Sequence, residues 1–216
     1  MRKKNLENGE SKNKNDIDER IEINSCSYSE AQGKELLRLA RSSIAAKLKI
    51  KSDLPKPSLI METLKEEIFN LNVGTFVTIH INKKLRGCIG TLESVETVKE
   101  DIRQNAISAA FQDPRFPPLT SKEFNDIHLE ISILSQPVTL EYSDSDDLLS
   151  KLQPGVHGLI ISKGGARATF LPQVWQQLPD KSQFLSNLCR KAGLSEGEWK
   201  RGTLEVMIYT VQYFEE

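Results

Sequence analysis

Residues that usually announce a chemistry are scarce in this chain. Its 216 residues hold three cysteines, Cys26, Cys88 and Cys189, and three histidines, His80, His128 and His157, all far apart. There is no C-x-x-C and no H-x-x-x-H, so no local metal-ligand spacing is present and no metal or cofactor is predicted. An odd number of distant cysteines argues against a disulfide framework and for a reducing, cytoplasmic compartment. No apolar run approaches the ~20 residues of a membrane helix, and no apolar core follows the first positive charges, so neither a membrane span nor a secretory signal is expected. Neither sign of charge dominates: 29 basic residues face 30 acidic ones, a formal net charge of -1. A nucleic-acid binder of the usual electrostatic kind carries a basic excess or stripe, and this chain has neither.

What is present reads as an ordinary globular chain behind a polar start. Residues 1–27 are rich in Lys, Asn, Glu, Asp and Ser and are predicted to form a disordered tail, because they cannot bury enough surface to offset the entropy of ordering. Ser29 with Gln32 matches a capping box. Leu37, Ala40, Ile44 and Leu48 then follow at helical spacing. A short helix is expected near Ile60–Leu64. Thr75–Ile81 and Leu85–Leu92 read as strands joined at Asn82-Lys83. Ser94 is a candidate N-cap for a helix carrying Val95, Val98, Ile102, Ala106 and Ala109, ended by Pro114. Ile127–Leu134 alternates cleanly, 143–153 suits a short acidic helix, and Val156–Ser162 with Ala166–Leu171 suits a hairpin. Phe184, Leu185, Leu188 and Ala192 form a helical stripe before Gly193, and Thr203–Phe214 reads as one final strand. Consecutive strands with short turns, interspersed with helices, favour an α+β fold with antiparallel sheet.

The stretch with most chemical content is Leu85-Arg86-Gly87-Cys88-Ile89-Gly90. Alternation puts Arg86 and Cys88 on one strand face, with Leu85 and Ile89 on the other. A guanidinium beside a thiol favours the thiolate. Gly87 and Gly90 weaken a strand unless something approaches its backbone. For Val77, Ile79 and Ile81 to share the core face with Leu85 and Ile89, directly opposed residue numbers must sum to an even number. A three-residue loop with a bulge achieves that. Thr78 and His80 then join Arg86 and Cys88 on the second face.

Leu85–Gly90 also matches the hallmark of the AMMECR1 family. The resemblance extends through Gly74–Thr78, Ala110–Leu119, Leu129–Leu134, Gly155–Leu159, Leu171–Trp175 and Lys191–Leu194 followed by Trp199, and covers about 28–216. It implies an AMMECR1-like domain of two unequal subdomains, each with an antiparallel sheet and flanking helices, and a cleft that the hallmark motif faces. It implies an intracellular protein of a family with no established activity. Prokaryotic relatives are encoded beside or fused to Memo-like and radical-SAM proteins, which points to a protein partner. Where relatives often have Asn-Gly, this chain has Asn82-Lys83, which leaves the turn type open.

Two functional expectations follow. In one, the chain is a binding module or accessory subunit gripping a protein or peptide, with Leu85, Gly87, Ile89, Gly90, Thr78, Asp113 and Arg115 lining its cleft. In the other, it is an enzyme with Cys88 as nucleophile or redox thiol, Arg86 holding an anionic group, and His157 or Glu130 handling protons. The absence of a recognisable acid–base pair favours the first. Each residue also has a structural reading: Cys88 as a small buried residue, His157 as a hydrogen-bonded histidine, and Arg86 in an ion pair with Glu130 or Asp113.

Overall fold

A computed structural model describes residues 27–51 and 53–216 of the chain. The polar tail expected over 1–27 lies, apart from Ser27, outside the described residues. Eight strands run in chain order: β1 (Thr75–Ile81), β2 (Lys84–Thr91), β3 (Ile127–Leu134), β4 (Val138–Thr139), β5 (Gly158–Lys163), β6 (Ala166–Phe170), β7 (Glu205–Tyr209) and β8 (Val211–Glu215). The α-helices are α1 (Glu30–Leu48), α2 (Pro57–Thr63), α3 (Val98–Phe111), α4 (Ser145–Lys151) and α5 (Lys181–Lys191). The strands form two four-stranded antiparallel sheets, β2-β1-β3-β8 and β4-β7-β5-β6, which is the expected α+β class. The described chain divides into two units, 27–134 with 212–216 and Ser135–Val211.

In the first unit, Ser29 caps α1 as a full capping box with Gln32. Helices α1 and α3 pack on one face of the sheet and bury Leu36, Leu39, Ile44 and Ile102 against Val77, Ile79, Leu129 and Ile131. Thr75, at the start of β1, is fully buried on this same face. Its hydroxyl donates to Asp101 at 2.5 Å, and Asn105 donates to Thr75 and Asp101, so the polar groups where α3 meets the sheet satisfy one another.

Two element boundaries differ from the sequence reading. Helix α3 begins at Val98 rather than after Ser94, and Val95 is 87% exposed. The Ser94 hydroxyl donates to Asp101 and accepts from the Glu96 N–H, so it closes a turn ahead of the helix instead of capping it. The final strand is split at Thr210, whose N–H donates to the Ser135 hydroxyl and whose carbonyl accepts the Ser135 N–H. The two halves, β7 and β8, therefore belong to different sheets.

The β1–β2 hairpin also turns differently. Asn82 and Lys83 both have positive φ, 51° and 62°, as in a two-residue type I′ turn. Ile81 pairs with Lys84 and His80 with Leu85, but Ile79 pairs with Gly87 and Val77 with Ile89. The register shift leaves Arg86 unpaired as a bulge. The even sum is thus reached from the bulge inward, and Ile89 packs on the core as expected. Leu85 does not: it lies beside His80, on the outer face, and is 41% exposed.

The second unit has its own core, in which the Trp175 and Phe184 rings stack with centroids 3.6 Å apart and 7° between their planes. Cys189 is fully buried there. Burial pushes its thiol above the ordinary value.

Two substitutions test this account. Lys83 holds a left-handed conformation that a side chain disfavours, so Lys83→Gly is expected to raise stability by about 0.5–1 kcal/mol in chemical denaturation. A Cβ on Gly87 would stand 2.1 Å from the Ala109 carbonyl oxygen, so Gly87→Ala is expected to cost at least about 2 kcal/mol.

Candidate functional site

The hallmark strand β2 lies at the edge of its sheet, and what covers that edge is the loop after α3. Pro114 follows Asp113 and prevents the helix from continuing. Asp113 is 4% exposed and turns its carboxylate onto the edge. One oxygen, Oδ2, accepts the Cys88 N–H at 2.9 Å and Arg115 Nη2 at 2.7 Å. The other, Oδ1, accepts Arg115 Nε at 2.9 Å and the Arg115 N–H at 3.1 Å. Arg115 Nη2 also donates to the Cys88 carbonyl at 3.2 Å. Both outward backbone groups of Cys88 are thereby satisfied by one ion pair, as a neighbouring strand would satisfy them.

These bonds set the protonation states. The Arg115 guanidinium, together with the Cys88 and Arg115 N–H groups, holds the Asp113 carboxyl far below its usual range against the cost of burial. Asp113 in turn raises Arg115. The Arg115 side chain is nevertheless 54% exposed, and its Cζ lies 5.5 Å from the centroid of the Phe116 ring.

Arg86 stands over the same ring, with its Cζ 6.0 Å from the centroid. Its ion-pair partner is neither Glu130 nor Asp113 but Glu123, with Nε–Oε1 at 2.9 Å. Glu123 also accepts the Thr120 N–H and hydroxyl, each at 2.8 Å. Arg86 holds the Glu123 carboxyl down to about 2 against its partial burial. The alternation argument expected sulfur and the Arg86 guanidinium side by side. The bulge takes Arg86 out of the pairing: Arg115 is the guanidinium that hydrogen-bonds to Cys88, at its main-chain carbonyl, and Arg86 pairs with Glu123 of the loop.

The Cys88 sulfur accepts a hydrogen bond from the Thr78 hydroxyl at 3.2 Å and is partly exposed. Thr78 sits between Cys88 on β2 and Glu130 on β3, so β1 separates Glu130 from the hallmark strand. Burial raises the Glu130 carboxyl, while His80 and His128 lower it. Tyr213 on β8 is pushed up to about 12, first by burial and then by the Glu130 charge. His157 belongs to the second unit, is 1% exposed, accepts the Gln153 N–H on Nδ1 and the Trp175 indole N–H on its carbonyl. The glycines are approached by the protein itself: Gly87 by the Ala109 carbonyl, and Gly90 by the Phe76 ring at 2.2 Å from an added Cβ.

Sequence reasoning brought Arg86, Cys88, Thr78, Asp113 and Arg115 into one neighbourhood. It missed Glu123 and Phe116. Glu123 had a signal, because Thr120-Ser121-Lys122-Glu123 is a capping-box pattern whose carboxylate turns back on Thr120. Among the described residues no group of three or more His, Cys, Asp or Glu is placed to hold a metal ion. No described helix is long and apolar enough to cross a membrane.

The AMMECR1 family model matches residues 37–214. A protein of Methanosarcina mazei is 39% identical over 188 residues, covering 87% of this chain and 92% of its own. A protein of Methanothermobacter thermautotrophicus is 37% identical over 186 residues, covering 86% and 94%. Among solved structures, that of an uncharacterized protein from Pyrococcus horikoshii is similar with a TM-score of 0.69 at 33% identity, covering 85% of this chain and 91% of that one.

The Arg86–Glu123 pair has a pH signature. A carboxyl whose folded pKa, about 2, lies below the unfolded value contributes stability that is complete above the unfolded pKa and is lost as pH falls towards the folded one. Arg86→Met is therefore expected to cost about 1 kcal/mol at pH 7, discounted for the partly exposed carboxylate, with the gap to wild type closing between about pH 5 and 2. A gap unchanged over that range, followed by urea unfolding, would contradict the pairing.

Proposed function

From the premise that this chain belongs to the AMMECR1 family, we propose that it is a binding module or accessory subunit that grips a protein or peptide partner at the Cys88 corner of β2 and turns nothing over by itself. One observation carries this reading: both guanidinium groups of the corner are held in internal pairs, Arg115 by Asp113 and Arg86 by Glu123. Nucleophilic catalysis at Cys88 needs a base at the sulfur and a cation ready for the substrate. The group at the sulfur is the Thr78 hydroxyl, Glu130 stands beyond an intervening strand, and His157 is buried and hydrogen-bonded elsewhere. A rigid, internally compensated corner costs little entropy to engage and suits recognition. Beside it, Leu85 on the outer face presents exposed apolar surface. The partner class follows the family's association with Memo-like and radical-SAM proteins.

Titration calorimetry against a purified Memo-like protein from the same genome tests the reading. Binding in the micromolar range is expected, weakened about tenfold by Leu85→Asp and changed less than about threefold by Cys88→Ser, with thermal stability unaltered in the first variant. Alkylation of Cys88 at pH 7 is expected to be about tenfold or more slower than that of a free peptide thiol, because the sulfur is partly buried and hydrogen-bonded. Alkylation about a hundredfold faster than the peptide, with no complex formed, would overturn the binding reading in favour of covalent chemistry.

A further inference from the structure

We infer that the segment gripped at this corner is acidic, a run of Glu or Asp in the partner protein; the inference rests on the binding reading above. The hairpin segment 82–88 and the loop segment 113–123 carry Lys83, Lys84, Arg86, Arg115 and Lys122 against only Asp113 and Glu123. Both carboxylates are already engaged, by Arg115 and Arg86. The corner therefore has a cation excess of three, or of two with Asp126 included, in a chain whose net charge is -1. Connectivity keeps the charges together, because Lys84 lies two residues from Arg86 and Lys122 adjoins Glu123, the partner of Arg86. Lys83, Lys84 and Lys122 are exposed and make no ion pair among the described residues.

Geometry adds to charge. Arg115 is more than half exposed yet fixed in place by Asp113, by the Cys88 carbonyl and by the Phe116 ring. Its Nε and Nη2 are taken by Asp113 and the Cys88 carbonyl, but its Nη1 makes no hydrogen bond among the described residues, so that nitrogen of a pre-positioned guanidinium is open to a carboxylate oxygen. Pairing with flexible carboxylates leaves the internal pairs intact, whereas recognition of an isolated anion by Arg86 requires displacing Glu123. Nucleic acid is the weaker candidate, since about 6–10 phosphate contacts are usual for an electrostatic binder and this patch offers fewer cations.

The test uses the full chain and fluorescein-labelled oligoglutamate and oligoglutamine peptides of about ten residues, read by fluorescence anisotropy. Oligoglutamate is expected to bind at about 50 mM salt, to weaken about tenfold by about 300 mM, and to weaken at least about tenfold in Lys84→Glu/Lys122→Glu, while oligoglutamine does not bind. The same reversal on α1, Lys34→Glu/Lys47→Glu, is expected to leave affinity within about twofold. Equal loss in both double variants, binding of oligoglutamine, or no binding of oligoglutamate overturns the inference. If oligoglutamate fails while the Memo-like protein still binds in a Leu85-dependent way, the acidic assignment falls and the binding reading stands. Loss of both removes both.

Discussion

The corner is held by one buried carboxylate, that of Asp113, against the edge of β2. Its four hydrogen bonds tie a proline-stiffened loop to the backbone of Cys88 and fix Arg115 at the same time. The reach of Asp113 depends on how closely α3 approaches the strand. Four residues earlier, the Ala109 carbonyl occupies the space where a side chain on residue 87 would stand. Gly87 therefore lets the helix end come down on the sheet, Asp113 then meets Cys88, and Arg115 and Phe116 follow. Two guanidinium groups approach the Phe116 ring, those of Arg115 and Arg86, and Arg86 is anchored by Glu123. A single missing side chain on β2 thus permits the whole arrangement. The motif's glycines are explained by packing within the protein, without invoking a ligand.

That dependence bears on chemistry. Every charge close to Cys88 has a partner inside the corner, so the site is organised before anything binds. Organisation of this kind reduces the entropy lost in recognition, but it removes the cation that an anionic transition state would need. What remains open is peripheral: Nη1 of Arg115, the lysines of the hairpin and loop, and the exposed side chain of Leu85. These are the features on which the proposed selection of a partner by charge and shape rests. On the outer sheet face, Glu130 with its raised carboxyl, His80, His128 and Tyr213 form a second set of titratable groups, one strand or more removed from the sulfur.

Local signals were the legible ones. The capping box at Ser29, the alternation of Thr75–Ile81 and Ile127–Leu134, and the stop at Pro114 are readable because each depends on residues within a few positions of one another. The failures all involve distant partners. Ser94 has the chemistry of an N-cap, but Asp101 claims its hydroxyl. Thr203–Phe214 alternates like one strand, yet Ser135 pairs with the backbone of Thr210 and divides it between two sheets. The partner of Arg86 could not be chosen from sequence because Glu130, Asp113 and Glu123 are all carboxylates within chain reach. Only the path of the loop selects among them.

The position of Arg86 itself follows from parity. A two-residue turn at Asn82-Lys83 opposes Ile81 to Lys84, and without interruption it would oppose Ile79 to Arg86 and Val77 to Cys88. The buried face of β2 would then carry Arg86 and Cys88, with Ile89 turned outward. Burying an arginine without a partner in that apolar layer is far costlier than one bulge. The bulge removes one residue from the pairing and restores Gly87 and Ile89 to the core side. The residue set aside is Arg86, released from the strand's alternation and directed to Phe116 and Glu123. Its reach to the loop is thus the consequence of a turn one residue shorter than the hydrophobic pattern of β1 and β2 requires.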